Sequence, residues 1–168
     1  MAREIERKFL IADQRWRDEA VGSVAIRQFY LARTGRVSVR VRIIDAVEAR
    51  LTVKSAVPGM IRDEFDYAIP VADAVAMEAL RSGSVIEKTR YRLPCTAGVL
   101  TVDVFGGDNA GLLIAELELA DDAPEVALPD WLGREVTGDA RFYNADLSER
   151  PFAGWSAAEK AAAAAPTG

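Results

Sequence analysis

The sequence predicts a mainly β (α+β) domain: a closed, eight-stranded antiparallel β-barrel with a few short helices outside it. Three observations carry that expectation. Apolar residues alternate with polar ones at period two through most of the chain, with many β-branched side chains. Short turns punctuate the alternating runs, as antiparallel neighbours require. Charged residues fall on one face of strand after strand, sorted by sign, which is the ground for closing the sheet.

The alternation gives strands near 3–10, 24–32, 36–44, 47–57, 61–70, 85–94, 99–106 and 112–120, with Thr34-Gly35, Pro58-Gly59 and Gly106-Gly107-Asp108-Asn109 among the turns. Asp13 can cap a short helix through Ala20, and Val71 to Leu80 reads as an alanine-rich helix stopped near Gly83. Beyond residue 120 the pattern weakens; Pro129 to Glu135 and Asn144 to Glu149 read as short helical pieces. Ala157 to Gly168 is low-complexity and alanine-rich, expected as a frayed helix or disorder. There is no internal repeat, and 168 residues with 50% hydrophobic content suit one domain.

Composition excludes several classes. Net charge is −5 and no polybasic run appears, so nucleic acid is not the expected partner. No apolar stretch approaches the roughly 20 residues of a membrane span. The single cysteine cannot form an internal disulfide, and without a signal peptide the chain reads as cytoplasmic. Histidine is absent, which removes the commonest general base and transition-metal ligand. A metal site would rest on oxygen ligands, favouring Mg²⁺ or Mn²⁺ over zinc.

Residues two apart in a strand share a face. The first strand thus aligns Glu4, Glu6 and Lys8; the third Arg40 and Arg42; the fourth Lys54 with Thr52. The fifth aligns Arg62, Glu64 and Asp66; the sixth Lys88, Arg90 and Arg92; the seventh offers Asp103; the eighth Glu116 and Glu118. A half-buried sheet with its charged face in water would explain any one strand, but not the sorting. If the first strand neighbours the last, Glu4, Glu6, Glu116 and Glu118 gather and call for a cation. The facing bases call for an anion. A divalent metal and a polyanion would reconcile the two walls. The apolar side then faces outward, to be covered by helices or by a partner in a homodimer.

Glu4-Ile5-Glu6-Arg7-Lys8-Phe9-Leu10 resembles the ExExK signature of the CYTH, or triphosphate tunnel metalloenzyme, superfamily. The likeness continues through Gln28-Phe29-Tyr30-Leu31, Val39-Arg40-Val41-Arg42, Leu51-Thr52-Val53-Lys54 and Arg62-Asp63-Glu64-Phe65. It runs on through Glu87-Lys88-Thr89-Arg90-Tyr91, Val102-Asp103-Val104-Phe105 and Ala115-Glu116-Leu117-Glu118. Asp66 departs from the pattern, standing where many members carry a second Glu.

The resemblance implies a CYTH domain over 1–155, a tail over 156–168, and a tunnel that hydrolyses a triphosphate, most similar to stand-alone bacterial inorganic tripolyphosphatases. It implies Lys8, Arg40, Arg42, Lys54, Arg62, Lys88, Arg90 and Arg92 as phosphate ligands. Glu4, Glu6, Glu116 and Glu118 would hold Mg²⁺ or Mn²⁺, with Glu64 and Asp103 as further candidates. A Lys88–Tyr30 pair is implied for proton transfer or substrate selection, with cations favouring the Tyr30 phenolate. The alternatives are a class IV adenylate cyclase-like or nucleoside or thiamine triphosphatase activity, and a non-catalytic polyphosphate- or nucleotide-binding module. Trp16, Phe65, Trp131, Trp155 and Cys95 read as packing residues, and Arg7 as a partner for a surface acid. Phe142-Tyr143-Asn144 resembles an element that plugs one tunnel mouth.

Overall fold

In the computed structural model, which describes residues 5–55, 64–96, 98–119 and 127–164, the alternating runs form the expected strands. They are β1 (Ile5–Ile11), β2 (Gly22–Arg33), β3 (Val37–Ile44), β4 (Glu48–Ser55), β5 (Glu64–Ile69), β6 (Ser82–Leu93), β7 (Gly98–Phe105) and β8 (Leu113–Leu119). A ninth, β9 (Leu132–Glu135), occupies a stretch expected to be helical. The short helices are α1 (Trp16–Glu19), α2 (Val71–Met77), α3 (Asn144–Glu149) and α4 (Ala157–Ala164). Among the described residues, no helix is long and apolar enough to cross a membrane.

All nine strands join one antiparallel sheet in the order β5-β4-β3-β2-β6-β7-β8-β1-β9. β1 lies against β8, as the charge pattern anticipates, with Glu6 opposite Glu118 and Lys8 opposite Glu116. The sheet is strongly curved. Arg42 on β3 interacts electrostatically with Arg90 on β6 and Glu116 on β8. In a flat sheet β3 and β8 would stand about 19 Å apart, four strand spacings. Likewise, residues 143–149 reach from the Lys8 ammonium, 4.8 Å from the Tyr143 ring, to Arg33 on β2. The charges occupy the concave face.

Three apolar clusters hold this shape. Phe9, Leu93, Leu100, Val102, Ala115 and Leu117 pack on the convex side beneath Trp16 and Trp131. Phe29, Val41, Ile43 and Ala49 pack on the same side beneath Ala74 of α2. The third cluster is concave: Leu10, Ile86 and Ile114 lie two residues from Lys8, Lys88 and Glu116, and meet Phe142, Leu147 and Trp155. The C-terminal segment therefore fills one end of the concave face with apolar side chains, Phe142 and Trp155 among them. Gly83 permits the close seating of α3: with φ +72°, a Cβ there would stand 2.5 Å from the Ser148 carbonyl oxygen. Phe65, expected to pack, is 53% exposed, because the cluster beneath α2 takes in only Ile69 at the far end of β5. Arg7 meets Glu135 through two hydrogen bonds, the surface pairing anticipated for it.

Candidate active site

The concave charges form two arrangements of different character. The first is a continuous chain of opposite charges across β1, β8, β6 and β7. The Lys8 ammonium lies 2.6 Å from both Glu6 and Glu116. The other Glu116 oxygen accepts a short hydrogen bond from Arg90, whose guanidinium also grips both oxygens of Asp103 at 2.7 Å. Asp103 in turn accepts from Lys88 at 2.5 Å, and the side chains of both are inaccessible to solvent. Asn144 of α3 reaches the same ammonium at 3.5 Å.

Ionisation follows from this chain. Burial disfavours the Glu116 carboxylate, yet Lys88, Arg90 and Lys8 outweigh it and hold its pKa down at about 2. Burial likewise opposes the Lys8 ammonium, but Glu116 and Glu6 raise its pKa on balance. For Lys88, wholly buried, desolvation wins over Asp103 and the pKa falls.

The second arrangement lies on β3. Arg42 donates from Nε and Nη2 to Oε1 of Gln28, at 3.0 and 2.9 Å. Arg40 donates to the Thr52 hydroxyl at 3.1 Å, and its buried Nε–H has no acceptor. Neither guanidinium is paired with a carboxylate among the described residues. Burial, reinforced by Arg40 and Arg90, pushes Arg42 down to about 10. Among the described residues this cationic pair has no directly bound anion; Glu116 and Asp66 act on it only at a distance.

Several expectations change here. The acids and bases of β1, β6, β7 and β8 interleave instead of standing on separate walls, so only β3 is a purely basic wall. Among the described residues no three carboxylates converge as a metal-binding group. Asp103 is wholly engaged by Lys88 and Arg90. Tyr30 is buried, and desolvation raises its phenol pKa against Arg40, Arg33 and Arg42, so the phenolate is disfavoured. Its hydroxyl accepts from Gln28 at 3.2 Å, while Lys88 turns to Asp103; the implied pair is not in contact.

Lys54 and Glu64 pair at 2.7 Å on partly exposed strands, and Arg92 is exposed. Asp66 binds Arg50 and Thr52, consistent with no direct role at the site. Glu118 shares the Glu116 face. Glu4 and Arg62 lie outside the described residues. Sequence reasoning assigned no role to Gln28 or Thr52, although both sit at charged-face positions on the strands flanking the β3 arginines, a legible signal. Asn144 carries no such signal, since only the docking of α3 brings it to Lys88.

The CYTH domain model matches residues 2–145, and the chain belongs to that family. It is 42% identical over 153 residues to an inorganic triphosphatase of Acetivibrio thermocellus, covering 90% of this chain and 97% of the relative. It is 36% identical over 149 residues to an inorganic triphosphatase of Nitrosomonas europaea, covering 86% and 96%. A crystal structure of an inorganic triphosphatase superposes with a TM-score of 0.70 at 32% identity, over 88% of this chain and 95% of that one.

Proposed function

We infer that this protein is an inorganic triphosphatase, hydrolysing the terminal phosphoanhydride of tripolyphosphate with Mg²⁺ or Mn²⁺. The observation that carries the reading is the Arg40–Arg42 pair: two neighbouring guanidinium groups on the concave face that bond to Thr52 and Gln28 and, among the described residues, form no ion pair with a carboxylate. Inorganic tripolyphosphate is a compact polyanion of paired oxygens, which suits guanidinium forks. The names of the Acetivibrio and Nitrosomonas relatives support the same substrate.

The donor set fits a hard cation. Glu6 and Glu116 already converge on one cationic centre, the Lys8 ammonium, each at 2.6 Å. Glu6, Glu116 and Glu118 would hold the ion, with Glu4 and Glu64 as further candidates; Asp103 instead anchors Lys88 and Arg90. A bound divalent ion would neutralise phosphate charge and lower the pKa of a water.

The chain's own residues supply positioning and charge. Arg40 and Arg42 bind the polyanion first, because they need no carboxylate to be displaced. Lys8 and Arg90 would exchange a carboxylate for phosphate oxygens, leaving Glu6 and Glu116 available to hold a metal ion. Lys54, Arg62 and Arg92 are further candidates for phosphate contacts. Tyr30 stays protonated and donates a hydrogen bond to a phosphate oxygen. Lys88, held by Asp103, is the candidate proton donor to the departing phosphate, and its lowered pKa supports that role.

The test is phosphate release from tripolyphosphate, ATP, thiamine triphosphate and pyrophosphate, each with and without Mg²⁺ or Mn²⁺. Fast metal-dependent release from tripolyphosphate is expected. Release confined to ATP or thiamine triphosphate, or cyclic AMP formation, would move the assignment to the nucleotide or thiamine classes. Tight binding without turnover would make this a binding module.

A further inference from the structure

The described arginines that bind carboxylates are the rule in this molecule: Arg7, Arg27, Arg50 and Arg90 each grip one or two acids. Arg42 and Arg40 are held differently. The holder of Arg42 is Gln28, a wholly buried amide whose groups are committed in one orientation. Its Oε1 accepts both Arg42 bonds, and its Nε2 donates to the Tyr30 hydroxyl at 3.2 Å. The Tyr30 oxygen accepts there, so its proton is left to be donated elsewhere. The holder of Arg40 is Thr52, 1% exposed, which accepts from Arg40 at 3.1 Å and donates to Asp66 at 2.8 Å. Asp66 thereby turns the threonine lone pairs toward Arg40, while its direct ion pair is with Arg50 at 2.6 Å and Arg40 acts on it only at a distance.

A neutral holder is the costly choice in a buried site. Glutamate has nearly the shape of glutamine and would compensate the Arg42 charge. Its absence leaves Arg42 without an ion-pair partner among the described residues, while burial, then Arg40 and Arg90, lower its pKa. A fold optimised for stability alone would place an acid here.

We propose that Gln28 and Thr52 are positioning residues that aim Arg42 and Arg40 with neutral dipoles, so that the substrate phosphates are the anions that directly engage the two guanidinium groups. The proposal rests on the inorganic triphosphatase reading and adds how the phosphate-binding pair is kept charged. It also makes Gln28 the link between phosphate binding by Arg42 and hydrogen-bond donation by Tyr30.

The test is Gln28→Glu, which preserves shape and aim but cancels charge. Its expected signature is opposed movement of two readouts. The ligand-free protein melts at or above the wild-type temperature, while KM for tripolyphosphate rises at least about tenfold and kcat changes less. A residue that merely packs the core cannot raise stability and KM together. Wild-type KM in a Gln28→Glu protein that folds would overturn the proposal.

Thr52→Val and Thr52→Ser provide an independent arm. Valine removes the acceptor at similar volume and should raise KM about tenfold, whereas serine restores it. Wild-type KM for valine would equally overturn the proposal. Wild-type protein is the control that separates the two claims: if it releases no phosphate, the functional reading fails. The charge argument is then read from tripolyphosphate binding in EDTA, which Gln28→Glu must weaken by the same factor.

Discussion

Replacing Asp103 by asparagine probes the buried half of the site. The carboxylate is inaccessible to solvent, 2.5 Å from the Lys88 ammonium and 2.7 Å from two Arg90 nitrogens. Asparagine keeps the volume and part of the hydrogen bonding but removes the charge. Lys88 is then a buried ammonium favoured by the more distant Glu116 carboxylate and opposed by burial and Arg90. Removing one partner of such a pair typically costs about 3–5 kcal/mol. The retained hydrogen-bonding capacity places Asp103→Asn near about 3 kcal/mol. For a chain of 168 residues that corresponds to a fall in Tm of about 6–12 °C.

The pH dependence identifies the cause. Burial already lowers the Lys88 pKa, and loss of Asp103 lowers it further. Between that folded value and the ordinary lysine value of about 10.4, the unfolded chain binds more protons than the folded one, so stability rises with pH. The deficit against wild type should therefore narrow from roughly pH 7 to pH 10. Thermal unfolding followed by circular dichroism reads both quantities. A variant that melts with wild type at pH 7, or a deficit equal at both pH values, would refute the reasoning.

Glu116→Gln should change the acid limb of stability. The folded pKa of about 2 lies below the ordinary value of 4.5, so Glu116 contributes stability above pH 4.5 that is lost as pH falls toward 2. The variant should lose less stability across that window than wild type; parallel curves from melts at a series of pH values would count against the assignment. Gly83→Ala places a β-carbon 2.5 Å from the Ser148 carbonyl oxygen in a left-handed backbone conformation. It should cost about 2 kcal/mol and loosen α3, read by urea unfolding. A midpoint equal to wild type would show that α3 does not seat on this glycine.

Strand positions and facing were legible because period-two alternation is a local signal and one side of this sheet is apolar. β9 was not, because four residues after Pro129 form a strand only where the open edge of β1 accepts them. Gly133 lets the chains approach there, since a Cβ would stand 3.1 Å from the Leu10 carbonyl oxygen. Phe65 illustrates the opposite limit: alternation assigns its face correctly, but not whether anything covers that face.

The site divides in the same way. Which residues share the concave face could be read from parity alone. Which acid meets which base depends on register, and the Lys8–Glu116 pairing across β1 and β8 is what interleaves charges expected to segregate. The Tyr30 phenol was read from the sign of its neighbours, whereas desolvation, a tertiary quantity, decides the direction. The role of Gln28 emerged only with the committed orientation of its amide.

The most direct measurement is calorimetric titration of tripolyphosphate, in EDTA to prevent turnover, into wild type and an Arg40→Ala, Arg42→Ala double variant. Two lost charge-assisted contacts of about 1.5–3 kcal/mol each predict binding at least about a hundredfold weaker in the variant. Equal affinity in the two proteins would contradict the claim that the unbalanced arginine pair on β3 is the triphosphate site.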